Sequence, residues 1–127
     1  MEFAEFFCRS NFSFLHGASH PAELVERAHA LGYQALAITD ESSVAGVVQA
    51  HAMAKSLGMP LIIGAQFTAS ELHGRMAILA TSRQGYAQLG HLITQTRRRE
   101  AKGHYRLTMA DLESGLPDCL ALWMPDP

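Results

Sequence analysis

The chain is poor in the features that mark the most specialised protein classes. It has only two cysteines, Cys8 and Cys119, in 127 residues, too few for a disulfide framework or a four-thiolate zinc site, so both are expected as reduced, buried small side chains. No apolar run approaches the roughly 18 residues that span a bilayer. Met1-Glu2-Phe3-Ala4-Glu5 lacks the basic start of a secretory signal, which predicts a cytoplasmic protein with no membrane partner. No phosphate-cradling glycine loop, nucleophile elbow or Cys-His pair at interpretable spacing occurs. Net charge is also small, at -2, which argues against a dedicated nucleic-acid binder.

What is present is a hydrophobic content of 48% against 17% charged residues, the balance of a folded soluble domain. The charge is unevenly spread. Gly74 to Leu107 holds seven basic residues and only Glu100 as an acid, inside an otherwise acidic chain. Arg97, Arg98, Arg99, Lys102 and Arg106 concentrate at its end, either as a solvated helix terminus or as a contact for DNA phosphates or a partner domain.

Apolar patterning predicts strands at Phe3–Cys8, Ala35–Thr39, Leu61–Phe67, Arg75–Ala80 and Cys119–Trp123. Between them, Pro21 opens a helix with Leu24, Val25, Ala28 and Leu31 on one face. A second helix aligns Val44, Val47, Val48, His51, Ala54 and Leu57, and a third, after Gly85, aligns Tyr86, Leu89, Leu92, Ile93 and Thr96. This β-α-β-α-β order predicts a parallel sheet with packed helices and chemistry at the carboxyl ends of the strands. Five strands are too few to close an eight-stranded barrel, so the natural protein is expected to continue, and the chain alone to expose apolar strand edges and self-associate.

Two groups at strand ends carry candidate chemistry. His16 and His20 have a four-residue spacing suited to zinc on a helix, but Gly17 and Pro21 argue against a helix there. Asp40-Glu41 offers two carboxylates for a divalent cation, for acid–base work, or for capping the following helix.

The segments Ser10-Asn11-Phe12-Ser13-Phe14-Leu15-His16-Gly17-Ala18, Ala37-Ile38-Thr39-Asp40, Gly46, Ile62-Ile63-Gly64 and Gly85-Tyr86 resemble the polymerase and histidinol phosphatase (PHP) domain at the amino terminus of bacterial C-family DNA polymerases. With Leu92-Ile93-Thr94 and Lys102-Gly103, the form is most similar to the error-prone branch. The resemblance implies an α/β fold, a distorted TIM-like barrel of which residues 1–127 are the first part. It also implies a parent DNA-directed polymerase (a nucleotidyltransferase) that works in repair, extends DNA past damage and keeps its polymerase aspartates in other domains. Active members hold zinc or manganese at the strand ends. Matched position by position, the resemblance puts Phe7 and Arg9 at the opening His-x-His, His16 at an acidic ligand, and Asp40-Glu41 at an Asp-His pair. Gln66 stands at a glutamate and Arg75 at a histidine.

Fixed cations at Arg9 and Arg75 predict a degenerate site with no metal or other cofactor. A pair of Arg9 with Asp40 or Glu41 is the expected structural substitute. The leading expectation is therefore a non-catalytic PHP module whose partners are DNA, other polymerase domains or repair proteins. The alternatives are a free-standing zinc- or manganese-dependent phosphoesterase using His16, His20, Asp40 and Glu41, and a docking module that binds through the surface near Arg97.

Overall fold

The computed structural model describes residues 3–10, 19–69, 71, 73–113 and 115–126. Five strands, β1 (Ala4–Cys8), β2 (Ala35–Glu41), β3 (Leu61–Phe67), β4 (Gly74–Ala80) and β5 (Cys119–Pro125), form one sheet in chain order. The helices are α1 (Pro21–Ala30), α2 (Val47–Leu57), α3 (Arg83–Arg98) and the short α4 (Ala110–Glu113). Their order and the curled half-barrel sheet are those of a partial TIM-like α/β fold.

The first half follows the expected βα pattern, with β1, β2 and β3 parallel. The second half corrects it. β4 runs antiparallel to β3, and β5 antiparallel to β4. Only the short segment 68–73 joins β3 to β4, and a connection of that length makes a hairpin, whereas a parallel crossover needs a dozen residues or more. Consequently the amino end of β4, not its carboxyl end, lies beside the carboxyl ends of β2 and β3.

Two apolar cores cover the helix-bearing face of the sheet. Val25 and Ala28 of α1, Leu36 and Ile38 of β2, Ala50 and Ala54 of α2, and Met59 make the first. Ala65 and Phe67 of β3, Ile78 of β4, Leu89 and Leu92 of α3, and Leu107 make the second. The α2 face is rotated from the expected one, since Val48 is 76% exposed and His51 is also exposed. The small Ala50 is buried instead, beside Ala54 of the expected face, which lets the helix backbone approach closely. Leu31 and Tyr86 likewise lie exposed rather than inward. Gly58, at φ +68°, closes α2 in the left-handed conformation that glycine adopts without a Cβ penalty.

The opposite, concave face is apolar toward one end, where Phe6, Ile62, Leu79, Leu120 and Leu122 line an open cleft of about 670 Å³. At the other end it is polar. β5 leaves Leu120, Trp123 and Met124 substantially exposed along its length.

Helix α3 starts at Arg83, earlier than expected, because the Ser82 side chain accepts a hydrogen bond from the Gly85 amide at 3.1 Å. Gly85 is pressed on the turn before β5: a Cβ there would lie 2.0 Å from the Asp118 carbonyl oxygen, whereas one at Gly90 would meet nothing within 4 Å. Gly85→Ala is therefore expected to cost about 3 kcal/mol by overpacking. Gly90→Ala should stabilise the helix by about 1 kcal/mol. Urea denaturation of the two variants checks both signs.

Candidate functional site

Residues alternate across a strand, so neighbours in sequence reach opposite faces. In β2 this separates the two candidate carboxylates. Asp40 is buried at 1% exposure and accepts the Ser10 amide at 2.6 Å and the Ser10 hydroxyl at 2.7 Å. Glu41 reaches the concave face, and its register partner on β3 is Gln66. Neither acid caps α2, whose N-cap is Gly46 with no side-chain hydrogen bond. Asp40 and Glu41 are thus not a paired carboxylate site. Each anchors a different layer.

Glu41 is a point of convergence. Its Oε2 accepts Arg9 Nη2 at 3.3 Å and Arg75 Nη1 at 3.4 Å, and its Oε1 accepts the Tyr105 hydroxyl. Gln66 Oε1 accepts Arg9 Nη2 at 3.0 Å and Nε at 3.3 Å, while Gln66 Nε2 donates to Thr39 Oγ1 at 2.9 Å. An irregularity in β1 between Glu5 and Cys8 lets Cys8 pack on the first core and turns Arg9 toward the concave face. The hairpin reversal at β4 brings Arg75 there from the other side. Arg9 and Glu41 keep only 16% and 23% side-chain exposure.

Tyr105, which the sequence reading missed, completes the arrangement. Its ring stands edge-on to Phe67 at 6.0 Å, and its oxygen accepts the Thr68 amide at 2.8 Å. Burial and then the Glu41 hydrogen bond push the phenol up to about 12. Arg97 lies over the same ring, 5.6 Å from its centre, and donates to the carbonyls of Glu41 at 3.0 Å and Ser42 at 3.1 Å. Ser42 has a positive φ of 44°, unusual for a side chain with Cβ. Its amide is held by the Gln66 carbonyl at 2.8 Å and its hydroxyl by Thr96 at 3.1 Å.

The expected cationic group therefore divides. Arg97 belongs to the strand-end cluster. Arg99 forms two hydrogen bonds with Asp111 and a third to the Arg106 carbonyl. Arg98, Lys102 and Arg106 are exposed, with Arg106 3.9 Å from Glu100. His16 lies outside the described residues. His20 is the N-cap of α1 without a side-chain capping bond, and Phe7 is half-buried. Burial, followed by Glu5 and Asp40, raises the Cys8 thiol to about 11. Burial also raises Cys119, which keeps both thiols protonated near neutrality.

The donor chemistry of the described residues does not fit a divalent metal centre. Among the described residues no three histidine, cysteine, aspartate or glutamate side chains gather. The Arg9 and Arg75 guanidiniums flank the inward-facing Glu41 carboxylate. A like charge at about 4 Å adds about 4 kcal/mol of repulsion per unit charge in a partly buried setting.

The sequence and the fold have known counterparts. The sequence pattern of the PHP domain matches residues 6–120. The chain is 52% identical, over 98% of its length, to 13% of the error-prone DNA polymerase of Bordetella parapertussis. It is 54% identical, again over 98% of its length, to 12% of that of Methylococcus capsulatus. It thus spans 12–13% of the length of these relatives. Among solved structures, one described as a metal-dependent phosphoesterase from Bifidobacterium adolescentis aligns with TM-score 0.61 and 26% identity over 76% of this chain and 34% of that one. An amidohydrolase from Chromobacterium violaceum, at TM-score 0.60 and 24% identity over 76% of this chain and 33% of that one, shares the fold.

The Arg99 hydrogen bonds hold the Asp111 carboxyl well below the usual carboxylate range. A depressed folded-state pKa gives stability that is present above the unfolded value, about 3.9, and is lost as pH falls toward the folded one. Asp111→Asn should therefore melt below the wild type at pH 7, and the gap should close steadily below about pH 4. Thermal melts across that range check it; a gap independent of pH would show that the ion pair contributes nothing.

Proposed function

The chain belongs to the PHP domain family, and on that premise we propose that it is a non-catalytic structural module of an error-prone DNA polymerase. In this reading the module holds no metal and hydrolyses no phosphoester. The parent protein performs nucleotidyl transfer elsewhere, in the cytoplasm, during synthesis past damaged template in repair. The module's partners are the remaining polymerase domains and, through exposed Arg98, Lys102 and Arg106, DNA phosphates or repair proteins.

One observation carries this reading: Arg9 and Arg75 converge on Glu41 and Gln66 holds Arg9, at positions where the family resemblance implies metal ligands. The two arginine charges occupy the concave end of the sheet, and these hydrogen bonds join the end of β1 to β2 and β3, and β4 to β2. The role of a bridging ion is filled by protein groups. A free-standing zinc- or manganese-dependent phosphoesterase built on His16, His20, Asp40 and Glu41 fits less well. Asp40 and Glu41 face apart, and Asp40 is engaged by Ser10.

Elemental analysis of the purified chain after dialysis against zinc and manganese should find no stoichiometric metal. Phe7→His with Arg9→His should restore neither metal nor phosphoesterase activity, because Gln66 and Arg75 remain. Tight retention of one or more ions per wild-type chain would overturn the proposal.

A further inference from the structure

The segment after α3, residues 99–107, is fixed at two places. The Arg106 amide returns to the Thr96 carbonyl at 2.9 Å, and Leu107 is buried in the second core at 1% exposure. Between these points and the strand ends stands Tyr105, bonded to Glu41 of β2 and to Thr68 beyond β3. Arg97, on the last turn of α3, ties the same helix to the Glu41 and Ser42 carbonyls. The outer side of the segment is different in character: Lys102 and Arg106 are exposed there, and Arg98 is exposed on the adjoining turn of α3.

We propose that residues 99–107 are a strap that couples the strand-end charge cluster to the cationic end of α3, with Tyr105 as its latch. The Glu41 carboxylate is the shared element. On one side it receives Arg9 and Arg75, and on the other it receives the Tyr105 hydroxyl. A change in what the arginines do to Glu41 alters the acceptor that Tyr105 uses, and the strap backbone follows through Arg106 and Thr96. Coupling of this kind is reciprocal: a constraint on the strap is felt at the Glu41 cluster. The coupling follows from the contacts and stands whether or not the cluster replaces a metal.

Arg75 offers a clean perturbation. Its hydrogen bond among the described residues is to Glu41 and to no residue of the strap, and its side chain is 36% exposed, so Arg75→Gln leaves packing intact. Hydrogen exchange of the Arg106 and Thr68 amides is measured in wild type, Arg75→Gln, Tyr105→Phe and the double variant, with the α1 and α2 amides as the folding control. Arg75→Gln should speed exchange of both amides about fivefold in the wild-type background. In the Tyr105→Phe background, where the latch is already open, it should add nothing. An equal effect in both backgrounds, or no effect on the strap in either, would overturn the proposal. So would acceleration spread uniformly to α1 and α2, which would report global destabilisation.

Discussion

The fold turns on one carboxylate. Glu41, at the end of β2, accepts two arginines and a tyrosine, and its carbonyl accepts a third arginine. These donors come from β1, β4, α3 and the segment after α3. The first apolar core rests on β2, with Cys8 of β1 and Leu61 of β3 against it, and the second rests on β3 and β4. The Glu41 contacts tie the halves together through side chains, at the concave end where desolvation strengthens each charge-assisted hydrogen bond.

Much of this was legible from sequence where a local rule governed. Continuous apolar runs located all five strands, and Pro21 and Gly58 marked helix ends that the structure keeps. The pairing of Arg9 with a β2 carboxylate was what the family resemblance implied, since it put both at one strand-end site. Strand direction was less legible: the apolar content of β4 is the same in either orientation, and only the shortness of the β3–β4 connection signalled a hairpin. Asp40 and Glu41 read as a pair because adjacency is visible and the pleat is not. The alternation of β2 sends one to Ser10 and the other to the arginines. Tyr105 carried no signal that could be separated from an ordinary loop aromatic. Its role arises from a contact 64 residues away. The cationic run looked uniform, yet tertiary partners commit Arg97 and Arg99 and leave Arg98, Lys102 and Arg106 at the surface.

In the proposed reading, an arginine–glutamate–glutamine cluster stands where metal ligands would, which changes what the module depends on. A metal-bridged domain loses its cross-link when the ion is removed. Here the corresponding contacts are covalently part of the chain and respond instead to charge balance and solvent access. Buried charge clusters are intolerant of losing one partner, because the groups left behind remain desolvated. In the proposed reading, the Glu41 cluster is therefore structurally demanding without a metal.

The most direct measurement is a double-mutant cycle between Arg9→Met and Glu41→Gln, read by urea denaturation of the 127-residue chain. At side-chain exposures of 16% and 23%, the pair lies between a surface ion pair and a buried one. The account predicts a favourable coupling energy of about 1–2 kcal/mol. Each single variant should be costlier than its share of the double. Additive losses, with coupling within about 0.3 kcal/mol of zero, would contradict the claim that this cluster holds the strand ends together.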